Sequence, residues 1–122
     1  MTTPPIPPSD AIVYRLADRA AWDVAEAAGV YEGAEIDFRD GYIHLSTAAQ
    51  AAETARLYYR GRDQVVLVAV DAAAVASDLK WEASRGGDLF PHLYAPLPLT
   101  AVLWARDVPN DADGVPQLDG LL

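Results

Sequence analysis

Residues 40–47 read DGYIHLST, and in this stretch a strand pattern coincides with a set of reactive side chains. Side chains alternate between the two faces of an extended chain, so Tyr42, His44 and Ser46 share one face. The two apolar residues between them then point toward a core. The stretch therefore predicts a short strand that holds three polar side chains toward a cleft, with His44 at its centre.

A helix is expected directly after this strand. Thr47 and Gln50 have the spacing of a capping box, in which each side chain bonds the backbone N–H of the other residue. Apolar residues then recur at helical spacing through residues 48–59. The N-terminus of a helix favours anions because its first N–H groups are unpaired and the helix dipole is positive there. We therefore expect His44 and Thr47 to lie beside a site suited to a phosphate.

The rest of the chain predicts a single domain of the α+β class. Strands are expected at 11–16, 65–70, 79–83 and 100–108, and the valine-rich run at 65–70 is predicted to be the central one. A helix is expected after Asp18, ending at Gly29, and residues 31–38 are expected to form a loop with exposed acidic side chains. The sheets are expected to be small, split and mixed or antiparallel, with two to three helices. The predicted divisions are a flexible proline-rich lead at 1–10, the domain at 11–108 and an acidic tail at 109–122.

Composition excludes several classes of function. The chain of 122 residues contains 18 acidic against nine basic residues, a net charge of −9, which argues against a nucleic-acid-binding surface. It contains no cysteine, which excludes disulfides and thiol chemistry. It also contains no apolar run long enough to span a membrane and no signal sequence at its amino end. The expected protein is cytoplasmic, a monomer or a weak homodimer, with a small molecule as its partner.

A second unusual segment, WEASRGGDLFPHLY, occupies residues 81–94. Alternation places Glu82 and Ser84 on one side of a strand, and two glycines then turn the chain. Arg85, beside those glycines, has the planar fork that binds phosphate groups. His92 and Tyr94 lie between Pro91 and Pro96 and are expected to belong to a fixed loop rather than to act as catalysts.

Five short motifs together resemble a known family. They are VYR at 13–15, DGYIHLST at 40–47, ETA at 53–55, LKWEAS at 79–84 and FPHLY at 90–94. This combination resembles a family of small bacterial proteins catalogued as domain of unknown function 952. The resemblance spans roughly residues 11–104 and implies no established activity.

A more distant resemblance concerns the order of the elements. The strand YIHLS at 42–46, the pair TA at 54–55, the valine-rich strand at 65–71 and the turn SRGG at 84–87 are similar to the catalytic lobe of NAD-dependent RNA 2′-phosphotransferases. Through those enzymes the layout resembles the ADP-ribosyltransferase fold. The implied architecture is a split pair of small sheets with NAD between them. ADP-ribosyltransferases usually carry His-Gly-Thr on their first strand, where this chain reads Tyr14-Arg15-Leu16. The residues that usually hold NAD in its pose are therefore replaced.

The resemblance and the spacing together assign a candidate site. His44 and Glu82 are the candidate catalytic residues, because a carboxylate stabilises the positive charge that develops on a ribose when a glycosidic bond breaks. The expected ligand is NAD or another ribosyl or nucleotide-like molecule. The candidate ligand-binding residues are Tyr14, Arg15, Tyr42, Ser46, Thr47, Ser84, Arg85, His92 and Tyr94.

Three classes of function remain open from the sequence. The first is an ADP-ribosyltransferase-like enzyme, and the second is a non-catalytic module of the same fold that binds a nucleotide or a protein. The third is a metal site built from His44, His92 and Glu82, which are ligand types that zinc and iron accept. Their spacing matches no compact metal motif, so no metal is expected.

Overall fold

The structure is a computed structural model, and it describes residues 11–122. The lead predicted for residues 1–10 lies outside this part of the chain, as does the side chain of Arg85. The elements in order are β1 (Ile12–Asp18), α1 (Arg19–Ala28), β2 (Val30–Tyr31), α2 (Glu35–Asp40), β3 (Ile43–His44), α3 (Ala48–Tyr58), β4 (Val65–Asp71), β5 (Leu79–Ala83), β6 (Leu89–Leu93), β7 (Leu97–Pro98) and β8 (Val102–Val108). Short 3₁₀ turns cover Ala72–Asp78, Arg85–Gly87 and Leu99–Ala101. The predicted α+β class is confirmed.

The first sheet contains three antiparallel strands in the order β1-β4-β8. Its middle strand, β4, is buried along its whole apolar run, as the valine-rich sequence predicts. Both faces of this sheet are covered, since Val66, Val68 and Val70 pack on one side while Val65 and Leu67 pack on the other. A strand with two buried faces must be apolar throughout, which explains why this sequence shows no alternation.

The other two sheets are smaller. β2 pairs with β7, and β3, β6 and β5 form an antiparallel sheet in the order β3-β6-β5. An isolated bridge joins this last sheet to the first, because Tyr14 and Ser46 exchange two backbone hydrogen bonds of 2.7 and 2.8 Å. The fold is therefore split into two main sheets that meet where the DGYIHLST stretch leaves β3.

The capping box predicted for α3 is present. The Thr47 hydroxyl accepts the Gln50 backbone N–H at 3.2 Å, and the Gln50 side chain accepts the Thr47 N–H at 3.0 Å. Asp18 occupies the N-cap position of α1, as expected, but its side chain makes no capping bond. It pairs instead with Arg62 at 2.6 Å, so the ion pair replaces the cap.

The prediction of a loop with exposed acidic side chains at residues 31–38 is wrong in two respects. Residues 30–31 form β2, and α2 begins at Glu35 and ends at Asp40 before Gly41, whose φ of +87° ends the helix. Asp37, predicted to be exposed, is 3% exposed. Its carboxylate accepts the Ala34 backbone N–H at 2.6 Å, a bond that turns the chain inward and starts the helix.

The carboxyl-terminal segment returns to the body of the protein. Leu118 is buried in the apolar cluster between α3 and the first sheet, and a bridge joins Asn110 to Pro116. Among residues 11–122, no helix combines the length and apolarity that crossing a bilayer requires.

Candidate ligand-binding site

One face of the β3-β6-β5 sheet carries polar and aromatic side chains. His44 on β3 lies opposite His92 on β6, and His92 lies opposite Lys80 on β5. Side chains two positions along each strand share this face, while those between them enter the core. We call the resulting set the polar face, and it consists of Tyr42, His44, Lys80, Glu82, His92 and Tyr94.

Aromatic contacts organise the polar face. Tyr42 stacks on His92, with ring centroids 4.0 Å apart and an interplanar angle of 22°. The ring of His44 lies 4.6 Å from that of Tyr42 and 5.8 Å from that of His92, in an edge-on arrangement with the latter. His92 is thereby almost completely buried, whereas 29% of the His44 side chain stays exposed. Both imidazole rings therefore contact the ring of Tyr42.

Glu82 connects the second histidine to a second tyrosine. Its Oε1 atom lies 2.8 Å from Nδ1 of His92 and accepts the Tyr94 hydroxyl at 2.7 Å. With Oε1 as acceptor, Nδ1 of His92 carries the proton of this hydrogen bond. Both bonds use the same oxygen. The Glu82 carboxylate is therefore held in place through Oε1.

The bond from Tyr94 changes the acidity of both partners. Together with the bond from His92, it lowers the pKa of Glu82 below its ordinary value. The hydrogen bond to the carboxylate raises the pKa of Tyr94 to about 12. Glu82 is therefore ionised and Tyr94 is protonated at neutral pH.

This pair gives a direct spectroscopic prediction. The ultraviolet absorbance of tyrosinate, compared between the wild type and Tyr94→Phe, isolates one of the six tyrosines. We expect the missing transition to be centred near pH 12, and to move back toward 10 in Glu82→Gln because the acceptor loses its charge. A transition already centred near 10 in the wild type would show that the Tyr94–Glu82 bond does not form.

His44 is held by two aspartates. Its Nδ1 lies 2.8 Å from Oδ1 of Asp37, and its Nε2 lies 2.9 Å from Oδ2 of Asp40. Asp37 also accepts the His44 backbone N–H at 2.9 Å and a bond of 2.8 Å from Nη1 of Arg15. Arg15 and Asp37 form a buried ion pair, with side chains 3% and 2% exposed. The position of His44 thus depends on α2 and on β1 as well as on its own strand.

Several donors converge on Asp37 and keep it ionised. Burial alone would raise the pKa of Asp37, but the hydrogen bond from His44 and the charge of Arg15 outweigh burial. The pKa of Asp37 is therefore held well below its usual range. Asp37 stays negatively charged at neutral pH even though its side chain is shielded from solvent.

Gly33 provides a second test of how Asp37 is positioned. Gly33 has φ of +115°, and a Cβ atom there would lie 2.9 Å from Cβ of Asp37. Gly29 has φ of +80° with nothing within 4 Å of the same position, so it is a matched control. We expect Gly29→Ala to lower the free energy of unfolding by about 1–2 kcal/mol from backbone strain alone. Gly33→Ala should lower it by roughly twice as much, because Asp37 must also move. Equal losses in urea denaturation would contradict this packing.

A cleft of about 690 Å³ opens beside the polar face. This volume lies within the range of roughly 300–1,000 Å³ that small-molecule sites occupy. Residues from β1, α2, the end of α3 and the polar face line the cleft, and its walls include Arg39 and Arg62. A smaller hollow of about 310 Å³ adjoins Tyr42 and Tyr94.

The structure brings most of the predicted site residues to the cleft. The predicted residues that line it are Tyr14, Arg15, Tyr42, His44, Ser46, Ser84 and His92. Glu82 lies on the polar face behind His92 and is not part of the cleft wall, and Tyr94 borders the smaller hollow. Thr47 is occupied by its capping bonds. His44 and Glu82 are therefore linked through His92 rather than placed against a single ligand position.

Sequence reasoning missed Asp37, Asp40 and Tyr31. A usable signal was present, because α2 has acidic residues in its first turn, Arg39 in its last turn and Gly41 immediately after it. That charge order complements the helix dipole and is typical of a short helix. Recognising the helix would have placed Asp37 and Asp40 one turn apart, facing the strand that follows.

The geometry gives the metal alternative no support. Across residues 11–122, no group of three or more histidine, aspartate or glutamate side chains is arranged to hold a metal ion. His44 and His92 already direct ring nitrogens to carboxylates, at 2.8–2.9 Å. These nitrogens are engaged in hydrogen bonds and are not directed toward a shared centre.

Comparisons with known proteins agree with this architecture. A family model described as "Protein of unknown function (DUF952)" matches residues 16–105. The chain is similar to protein CC0527 from Caulobacter crescentus, a structural genomics target. Its crystal structure is 52% identical over 88% of this chain and 94% of that chain, with a TM-score of 0.86. Its solution NMR structure is 51% identical over 92% and 97%, with a TM-score of 0.82. No curated protein matches the chain.

Proposed function

The chain belongs to the DUF952 family of proteins of unknown function, and from this premise we propose that its cleft binds a ribosyl or nucleotide-like small molecule, with NAD as the leading candidate. The observation that carries the proposal is the polar face itself. A sheet of three short strands places two histidines, two tyrosines and an ionised carboxylate on one side, and this side borders a cleft large enough for such a ligand. An ordinary solvated sheet face would not bury a histidine beneath a stacked tyrosine.

The side chains around the cleft suit the parts of a nucleotide. Tyr42 offers an aromatic surface on which a base or a nicotinamide ring stacks. Arg39 and Arg62 line the cleft, and guanidinium groups bind phosphate oxygens in pairs. His92 Nε2 is left to bond a hydroxyl, because Nδ1 is already bonded to Glu82. Together these residues fit the parts of NAD. When bound, NAD would supply the glycosidic bond between ribose and nicotinamide, and cleavage of this bond allows ADP-ribose to be transferred.

The activity we propose is an ADP-ribosyltransferase-like transfer. Glu82 is ionised, as a carboxylate that stabilises positive charge on a ribose must be. His44 is fixed by Asp37 and Asp40 at the cleft wall, where its ring would meet a bound ligand. One observation favours a second candidate, a binding module without turnover. Glu82 stands behind His92, outside the residues that line the cleft.

Calorimetric titration of the protein with NAD and with ADP-ribose tests the proposal. We expect both to bind, and we expect Tyr42→Ala and His44→Ala to weaken binding by about tenfold each, since an aromatic ring in contact with the ligand contributes on the order of 1 kcal/mol. Leu103→Ala is the matched control, because this exposed residue lies on β8, away from the cleft. Full affinity in both site variants, or no binding at millimolar ligand, would refute the proposal.

Nicotinamide release separates the two candidates. If NAD is consumed and Glu82→Gln abolishes its consumption while ADP-ribose still binds, the enzyme proposal is supported. If NAD binds but no nicotinamide is released, the protein is a binding module without turnover and the enzyme proposal fails.

A further inference from the structure

The part of the cleft wall formed by Arg15 and Tyr31 contains hydrogen-bond donors that find no acceptor of good geometry among residues 11–122. Arg15 uses Nη1 to bond Asp37 and the His44 carbonyl oxygen, at 2.8 and 3.1 Å. Within the described residues its buried Nε and Nη2 atoms find no acceptor, and the Tyr31 hydroxyl, whose pKa burial raises against the lowering effect of the neighbouring Arg15, donates to no acceptor. The Arg15 guanidinium lies over the Tyr31 ring, 5.4 Å from its centroid, so these atoms belong to one small region.

Unpaired buried donors of this kind are unfavourable, and a charged guanidinium most of all. Arg15 and Tyr31 are each 3% exposed, and both are among the residues that line the cleft. Burial raises the pKa of Tyr31 to about 12, so its hydroxyl stays a donor at neutral pH. An acceptor atom entering from the cleft would restore the missing hydrogen bonds.

The charge around these donors restricts what that acceptor is. Asp37 already neutralises Arg15. The buried Arg15–Asp37 pair therefore leaves no net positive charge here to compensate a phosphate or carboxylate. An uncharged oxygen satisfies the donors without needing that compensation. The charged end of a nucleotide would instead lie toward the exposed Arg39 and Arg62.

We propose that Arg15 and Tyr31 form a subsite for an uncharged carbonyl-type acceptor, the oxygen of a carboxamide or of a nucleobase carbonyl. This inference rests on the proposed function, since it assigns one end of the same ligand. It makes Arg15 and Tyr31 the residues that select a neutral end group over an anionic one. In the ligand-free protein the unpaired donors of these two residues lower the stability of the fold. In the complex the same donors form hydrogen bonds with the ligand oxygen.

Benzamide and benzoate test the subsite, because the two probes share a shape and differ in charge. We expect NMR titration to give at least tenfold weaker binding for benzoate. Tyr31→Phe should weaken the binding of benzamide by about five- to tenfold, the effect of one lost hydrogen bond. The midpoint of thermal unfolding should stay unchanged or rise, because a buried unpaired hydroxyl is removed. Leu103→Ala is the control, because this exposed residue lies on β8, away from Arg15 and Tyr31. It should leave benzamide affinity unchanged.

The outcomes separate this inference from the proposed function. Equal affinity for both probes, or a Tyr31→Phe variant that loses stability but keeps affinity, would overturn the subsite. If ADP-ribose binds and benzamide does not, the subsite is wrong and the proposed function stands. If benzamide binds in a Tyr31-dependent way while NAD and ADP-ribose do not, the subsite stands and the nucleotide proposal fails. If none of these molecules binds, both are overturned.

Discussion

Replacement of Asp37 by alanine is expected to lower the free energy of unfolding by about 3–5 kcal/mol, the usual cost of removing one partner from a buried ion pair. Asp37 and Arg15 are almost completely shielded from solvent, so the variant would bury the Arg15 charge without compensation. The backbone N–H groups of Ala34 and His44 would also lose their acceptor. Urea denaturation with an unchanged m-value would measure the loss.

Asp40→Ala is the matched control for this prediction. Asp40 is also an aspartate on α2 and also bonds a ring nitrogen of His44, but its side chain is partly exposed and its partner Arg39 lies in solvent. We therefore expect little change in stability. Similar losses for the two variants would contradict the account, because burial and the Arg15 charge would then make no difference.

Acid should destabilise the wild type through the same carboxylate. The pKa of Asp37 is lower in the folded state than the 3.8 of an unperturbed aspartate. Its contribution to stability is therefore complete above that value, and it is lost as the pH falls through the window down to the folded-state pKa. In this window the unfolded chain binds a proton that the folded protein does not bind. One such group changes the free energy of unfolding by about 1.4 kcal/mol per pH unit.

The contribution of Asp37 can be isolated from those of the other acidic residues. The wild type and Asp37→Asn are compared by urea denaturation at a series of pH values. We expect the stability difference between them to be constant above about pH 5 and to shrink as the pH is lowered further. The corresponding difference for Asp40→Asn should shrink much less. A wild-type advantage that persists unchanged into strong acid would show that the pKa of Asp37 is not lowered by folding.

Local rules predicted the parts of the fold that depend on neighbouring residues. The valine-rich run at 65–70 favours a strand covered on both faces, and it is the middle strand of its sheet. Thr47 and Gln50 fix the start of α3 by bonds between residues three apart. Alternation from Tyr42 to Ser46 placed the polar side chains together. Each of these features follows from backbone geometry within one element.

The features that were missed depend on residues far apart in the sequence. Asp37 is buried because Arg15, 22 residues earlier, supplies the opposite charge, and no local pattern contains that information. The position of Glu82 behind His92 depends on the register between β5 and β6, which pairs Glu82 with Phe90. A shift of one residue in that register would turn Glu82 into the core. Sequence alone therefore predicted which side chains share one face of a single strand, but not how residues on different elements are joined.

The most direct test of the account is to map the ADP-ribose site by NMR chemical-shift changes on the isotope-labelled protein. We expect saturable chemical-shift changes that are centred on Tyr42, His44 and His92 and extend to Arg15. Residues of β8 should show no change. Saturable shifts confined to another surface, or no shifts at millimolar ADP-ribose, would contradict the claim that the polar face and its cleft bind a ribosyl ligand.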